Sequence, residues 1–137
     1  MSAEDVDDQL NRHSGLAALA RANDMREVHR RAGDQGALAL DVYCYRIRKY
    51  VGAYCAVLGR VDAAVFTAGV GENDPDVRAR SVAGLERMGI SIDADRNVLP
   101  DRGSRTVSPD MAAVAILVVP TNEELEIARK SLAATRS

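Results

Sequence analysis

Two glycines one residue apart, in Gly69-Val70-Gly71-Glu72-Asn73, follow a short apolar run and lead into Asp74-Pro75. Amides without a neighbouring Cβ can approach an anion closely, and a helix N-terminus beside them favours negative charge. The chemistry this pattern allows is phosphate binding, although the same residues also make a tight strand-to-helix turn. Asp74 stands where a dinucleotide fingerprint has its third glycine, and no Gly-Lys-Ser/Thr follows, so neither that fingerprint nor a P-loop is present. Asp74 and Asp76 repel a bare phosphate in the first helical turn. A bound cation, or docking on the side of the loop, would be needed.

Thr121-Asn122-Glu123-Glu124 divides by duty. Thr121 with Glu124 three residues on has the spacing of a capping box. Glu123 is then left without a structural role at the mouth of an apolar run, where a magnesium-directed carboxylate belongs. Asp24-Met25-Arg26 reads as an N-cap followed by a solvated arginine. His13 and His29 have no carboxylate or second histidine at helical spacing, so neither is expected to act as a ligand or base. Ser104 and Ser108 have no histidine nearby in sequence, and no serine or cysteine nucleophile is expected.

The elements that must hold these residues follow from periodicity. Ser2 and Asp5 cap a short helix that ends near Asn11 or Gly15, Gly15 to Asn23 is a second short apolar piece, and Asp24 precedes Met25 to Arg31. From Asp34 to Leu58 no proline intervenes, and Leu40, Tyr43/Cys44, Ile47, Tyr50/Val51, Tyr54 and Val57/Leu58 recur at steps of three and four. A long helix with one broad apolar face is expected there, with Arg46 and Lys49 on a solvated strip. Ala63 to Phe66 and Ala113 to Val119 read as buried strands. Each discharges into a helix, one through a loop at Thr67 to Asn73, the other through Pro120-Thr121-Asn122. The first of these helices opens at Asp74-Pro75, carries Val77, Val82, Leu85 and Met88 inward, and ends at Gly89; the second runs from Glu123 to Leu132. Ile90 to Ile92 is a brief strand, and Asp93 to Ser108 a loop or hairpin with a strand around Thr106-Val107. This is an α/β layer structure, and its ligand edge lies beyond the carboxyl ends of the strands.

Composition bounds the function classes. Of 137 residues 47% are hydrophobic and only 4% aromatic, which predicts a finely packed aliphatic core in one domain spanning residues 1–137. Lys and Arg number 18 against 20 Asp and Glu, a net charge of −2 with no run of like charge, so neither nucleic acid nor a membrane surface is an expected partner. No apolar stretch is long enough to cross a bilayer, and the acidic start predicts no cleaved leader. Cys44 and Cys55 fall about 16 Å apart along one helix, too far for a disulfide, as expected of reduced thiols in a cytoplasmic protein.

Taken together, Ser2 to Val6, Asn11 to Leu16, Asp24 to Val28, Tyr45 to Tyr54, Val65 to Asn73 and Pro120 to Leu125 closely resemble the acetate kinase family, in order and with natural spacing. The resemblance implies a partial ribonuclease-H-like domain of the sugar kinase, Hsp70 and actin superfamily. It implies reversible phosphoryl transfer between ATP and acetate, giving acetyl phosphate. It assigns nucleotide contacts to Asp24, Met25, Arg26, Gly69, Val70, Gly71, Glu72 and Asn73, with Met25 and Val70 flanking the adenine, and magnesium to Glu123. Ala68 departs from the family by replacing a glycine usual in this loop.

The resemblance covers about the final third of an acetate kinase. The family's N-terminal domain, its central phosphate motif and the groups around the transferred phosphoryl have no counterpart, so no catalytic residue is expected in this chain and the chain alone is expected to be inactive or very weak. The family also implies a homodimer, to which the helix from Asp34 to Leu58 would contribute, and a separate N-terminal half is a possible partner. Two other readings stay open: a non-catalytic nucleotide-binding or dimerisation module, and part of a propionate or butyrate kinase.

Overall fold

The computed structural model describes residues 1–31 and 33–135, apart from the side chains of Asp34 and Glu124. Four helices come first: α1 (Ala3–Arg12), α2 (Leu16–Ala20), α3 (Met25–Arg30) and α4 (Asp34–Leu58). Strand β1 (Ala63–Phe66) leads into α5 (Ala68–Asn73) and α6 (Pro75–Val82). After a short 3-10 turn at Glu86–Met88 come α7 (Ala94–Val98), β2 (Arg105–Thr106), β3 (Ala115–Val118) and α8 (Glu123–Thr135).

Local chemistry sets many of these boundaries. Ser2 and Asp5 form a reciprocal capping box at the start of α1, each side chain accepting from the other residue's backbone N–H. Asp24 caps α3 and Asp74 caps α6, the latter with Pro75 in its first turn. Helix α4 covers the expected span and ends at Gly59, whose φ of 71° is readily adopted by glycine.

The sheet has the order β1-β3-β2. Strands β1 and β3 run parallel in the register Ala63↔Ala115 to Phe66↔Val118, so both chains leave the sheet at the same edge. Val119 N–H donates to the Phe66 carbonyl at 2.9 Å, carrying the pairing one step past the strands. Strand β2 pairs antiparallel to β3, and Ile90 forms a single parallel bridge to Val114 where a brief strand was expected.

Two aliphatic clusters make the core. One joins the helices through Ala20, Met25, Val28, Ala39, Leu40, Cys44 and Val77; the other joins the sheet through Val82, Leu85, Ile90, Val107, Val114, Ile116 and Val118. Each fully buried aliphatic side chain of this size contributes about 1.5 to 3 kcal/mol. Both cysteines are free.

Five expectations need correction. Strand β1 is not buried: Ala63 and Val65 are exposed and alternate with half-buried Ala64 and Phe66, because no described element covers its outer face. The segment from Ala68 to Asn73 is a short helix and not an irregular loop: Thr67 leaves the strand extended, and Ala68, at φ 60°, makes the turn into the helix. Helix α6 stops at Val82, so Met88 is exposed instead of lining the interior. The polar stretch after Asp93 contains α7, nucleated by the Asp93 side chain accepting from Arg96 N–H at 3.0 Å. The apolar face of α4 is only partly covered: Leu40 and Cys44 are buried and Ile47, Val51 and Cys55 pack against the two clusters, whereas Tyr50, Tyr54, Val57 and Leu58 are exposed. Arg46 and Lys49 are exposed as expected and lie over the rings of Tyr50 and Tyr45.

Candidate functional site

The N-terminal turn of α3 and the helix α5, some 45 residues apart in sequence, face each other across an open cleft of about 1050 Å³. This is at the upper end of volumes typical of small-molecule sites. Asn23, Asp24, Met25, Arg26 and His29 form one wall, and Gly69, Val70, Asn73 and Asp74 the other. Met25 is almost wholly in the core and Val70 packs against the same cluster, so the cleft has an apolar floor continuous with the protein interior. Of the eight residues expected at a nucleotide, the cleft thus collects six: Asp24, Met25, Arg26, Gly69, Val70 and Asn73.

Gly71 and Glu72 point elsewhere. A Cβ on Gly71 would lie 3.2 Å from the Phe66 carbonyl carbon, so this glycine allows α5 to pack against the end of β1. A Cβ on Gly69 would meet nothing within 4 Å. Glu72 Oε1 accepts from Thr121 N–H at 2.7 Å and from the Thr121 hydroxyl at 3.0 Å. These contacts, with the Ala68 N–H and the nearby Arg105 charge, hold its carboxyl below the usual range. Thr121 is therefore engaged with Glu72, and α8 begins at Glu123 with Glu126 N–H donating to the Asn122 carbonyl. The helix starts one residue later than a Thr121 cap requires; the Glu124 half of the expected capping box lies outside the described residues.

The carboxylates in and beside the cleft each have a local partner. The Arg26 guanidinium grips both Asp24 oxygens at 2.6 to 3.2 Å, and Arg26 N–H adds a further bond at 2.8 Å. The Arg26 side-chain bonds hold the Asp24 carboxyl down to about 2. His29 Nε2 lies 2.7 Å from Asp74 Oδ2, while Asp74 Oδ1 accepts from Val77 N–H. Asp76 pairs with Arg80 at 2.9 Å. The two aspartates that seemed to oppose an anion thus each have a local partner, and the objection raised by their spacing weakens.

Glu123 opens α8 with an exposed side chain. Among the described residues no group of three or more His, Cys, Asp or Glu could hold a metal ion by itself. A single exposed carboxylate nevertheless suits magnesium, which keeps several waters and takes its remaining ligands from phosphate. The donor set at Glu123 fits a cation that arrives with a phosphate and does not fit a standing metal centre.

Three residues gain roles that sequence spacing did not reveal. His29 finds a carboxylate partner 45 residues away in Asp74, and His13 pairs with Asp8 at 3.1 Å, both at spacings other than the helical one considered in the sequence. Arg78 is only 1% exposed. Its guanidinium donates to the Gly71 and Glu72 carbonyls at 2.9 Å each, to Asn97 Oδ1 at 2.7 Å and to the Asn97 carbonyl at 2.6 Å. It thereby closes the C-terminal end of α5 from inside the protein. The only sequence signal was an arginine four residues beyond the Asp74 cap, which reads equally well as a surface residue.

Comparison with known proteins places this geometry. Residues 1–129 match the acetokinase family. The chain is 62% identical over 138 aligned positions to an acetate kinase of Clavibacter sepedonicus, covering 98% of this chain and 35% of that protein. It is 56% identical to an acetate kinase of Streptomyces avermitilis, covering 97% of this chain and 34% of that one. Among solved structures, a Porphyromonas gingivalis acetate kinase superposes with a TM-score of 0.86 at 35% identity, covering 97% of this chain and 34% of the other. A Francisella tularensis propionate kinase gives 0.81 at 32% identity, covering 93% and 33%. The chain therefore spans about a third of the length of the relatives it matches, and its mixed α/β fold corresponds to part of theirs.

Proposed function

The chain belongs to the acetokinase family, and from that premise we propose that residues 1–137 form the ATP-binding, C-terminal part of an acetate kinase. The complete enzyme would transfer phosphoryl reversibly between ATP and acetate. The observation that carries this reading is the cleft, which gathers Asp24, Met25 and Arg26 with Gly69, Val70 and Asn73 from two distant segments. Its apolar floor at Met25 and Val70 suits a purine face, and its rim of amides and paired charges suits ribose and phosphate. Glu123 would hold magnesium carried in by the phosphates, and that ion would spread positive charge over the transferring group.

Phosphoryl transfer is catalysed chiefly by positioning and by charge stabilisation around the equatorial oxygens. The residues of this chain bind and orient the donor nucleotide; none is proposed to act on the transferring group. We therefore expect the isolated chain to be inactive or very weak, and to act in the cytoplasm with a second copy of itself or with a separate N-terminal half. No helix of the described residues is long and apolar enough to cross a membrane. Acetate is preferred as acceptor because the more similar relatives are acetate kinases, although the propionate kinase shares the fold.

Calorimetric titration with Mg-ATP tests the reading. Saturable binding is expected, with an acetyl phosphate assay at or near background. Absence of heat up to millimolar nucleotide would leave an assembly module instead, and ordinary kinase rates would overturn the expectation of inactivity.

A further inference from the structure

We infer that Glu72 is a positioning residue and not a nucleotide ligand: through Thr121 it fastens the turn that leads to Glu123 to α5, so that the nucleotide wall and the cation carboxylate form one unit. This rests on the nucleotide reading above. It deepens it by giving Glu72 a role different from that of its neighbours Gly69, Val70 and Asn73.

The geometry supplies the reason. Strands β1 and β3 are parallel neighbours, so the turns after Phe66 and Val118 emerge side by side, but adjacency alone does not fix their relative orientation. The Glu72 carboxylate does. It reaches from α5, after β1, and accepts two bonds from Thr121, on the turn after β3. Pro120 precedes Thr121 with its φ set by the ring, which removes one free torsion between the sheet and Glu123. The contacts to Thr121 remove much of the remaining freedom. Arg78 secures the same helix from the other side through the Gly71 and Glu72 carbonyls. A carboxylate engaged in this way is satisfied, and turning it into the cleft would break these bonds to place a negative charge beside a triphosphate.

The test uses the whole 137-residue chain with Glu72→Ala, Thr121→Val and Thr121→Ser. Amide exchange at Thr121 to Glu123 is read first, without ligand. Exchange at Thr121 should quicken about tenfold in Glu72→Ala, the scale of one charge-assisted hydrogen bond, and stay at the wild-type rate in Thr121→Ser, which keeps both donors. ATP affinity is then read with and without magnesium. The gain in affinity that magnesium confers should shrink several-fold in Glu72→Ala, with a smaller decrease in Thr121→Val, and persist in Thr121→Ser. Unchanged exchange at Thr121 in Glu72→Ala would overturn the inference. So would equal loss of ATP affinity with and without magnesium, which would mark Glu72 as a direct ligand. The exchange measurement needs no nucleotide, so a wild-type chain that bound no ATP would count against the proposed function while the tie itself was still decided.

Discussion

His29 Nε2 lies 2.7 Å from Asp74 Oδ2 and joins α3 to the cap of α6 across the mouth of the cleft. The pair bridges the two walls, whose apolar residues Met25 and Val70 share one core cluster. Because His29 is about one-third exposed, the pair itself is worth at most about 1 kcal/mol. His29→Ala should therefore lower stability only slightly, yet loosen the cleft and weaken nucleotide binding. Asp74→Ala also removes the cap on Val77 N–H, adding about 1 kcal/mol to the loss. Urea denaturation of both variants checks the order; equal losses would show that the cap contributes nothing.

Ala68 has φ 60°, a left-handed conformation that costs an L-residue roughly 1 to 2 kcal/mol. Ala68→Gly relieves that strain and gives back about 0.4 to 1 kcal/mol through the freer unfolded chain. The net expectation is a gain of about 0.5 to 1 kcal/mol, measured as a higher denaturation midpoint.

The two glycines of α5 should respond in opposite ways. A methyl on Gly71 presses on the Phe66 backbone and should cost about 1 to 3 kcal/mol. A methyl on Gly69 meets open space, so Gly69→Ala should leave stability within about 1 kcal/mol of wild type or raise it, helix propensity favouring alanine. Its effect is expected in ATP titration, where the methyl narrows the cleft.

Arg78→Leu would leave the carbonyls of Gly71, Glu72 and Asn97 and the Asn97 amide oxygen without this donor in or near the interior. At about 1 to 3 kcal/mol for each unsatisfied buried group, a loss of at least about 3 kcal/mol is expected. Asn97→Asp keeps an acceptor for the guanidinium but loses the donor to the Pro75 carbonyl, so a smaller loss is expected. Thermal melts of the two variants decide whether the buried network holds α5 in place; a near-neutral Arg78→Leu would exclude it.

Asp24, held at about 2 by Arg26, is depressed in the folded protein relative to its ordinary 3.8. Its stabilising effect is therefore fully present above pH 3.8 and lost as pH falls through about 2. Carboxyl chemical shifts should report that midpoint, and Arg26→Ala should raise it toward 3.8. A midpoint unmoved by Arg26→Ala would mean the backbone bonds alone set it.

Much of the frame was legible locally. The spacing from Asp34 to Leu58 defined α4, the run Ala63 to Phe66 defined β1, and the Ser2, Asp24 and Asp74 caps marked helix starts, because those signals act within a few residues. The ordered motifs likewise defined the family. The fates of Thr121, Glu72 and His29 were not legible. Their partners lie 49 or 45 residues away, and no helical or strand period links such positions.

The sequence by itself therefore determined where most helices and strands form and which residue types could meet a nucleotide. Tertiary structure decided which of them come together around one cleft. The parallel pairing of β1 with β3 put two exit turns side by side, turned Glu72 toward Thr121, and left Gly69, Val70 and Asn73 facing Asp24, Met25 and Arg26. Hydrogen bonds and charge pairs depend on proximity in space, and a chain read in one dimension carries that proximity only where a regular element repeats it.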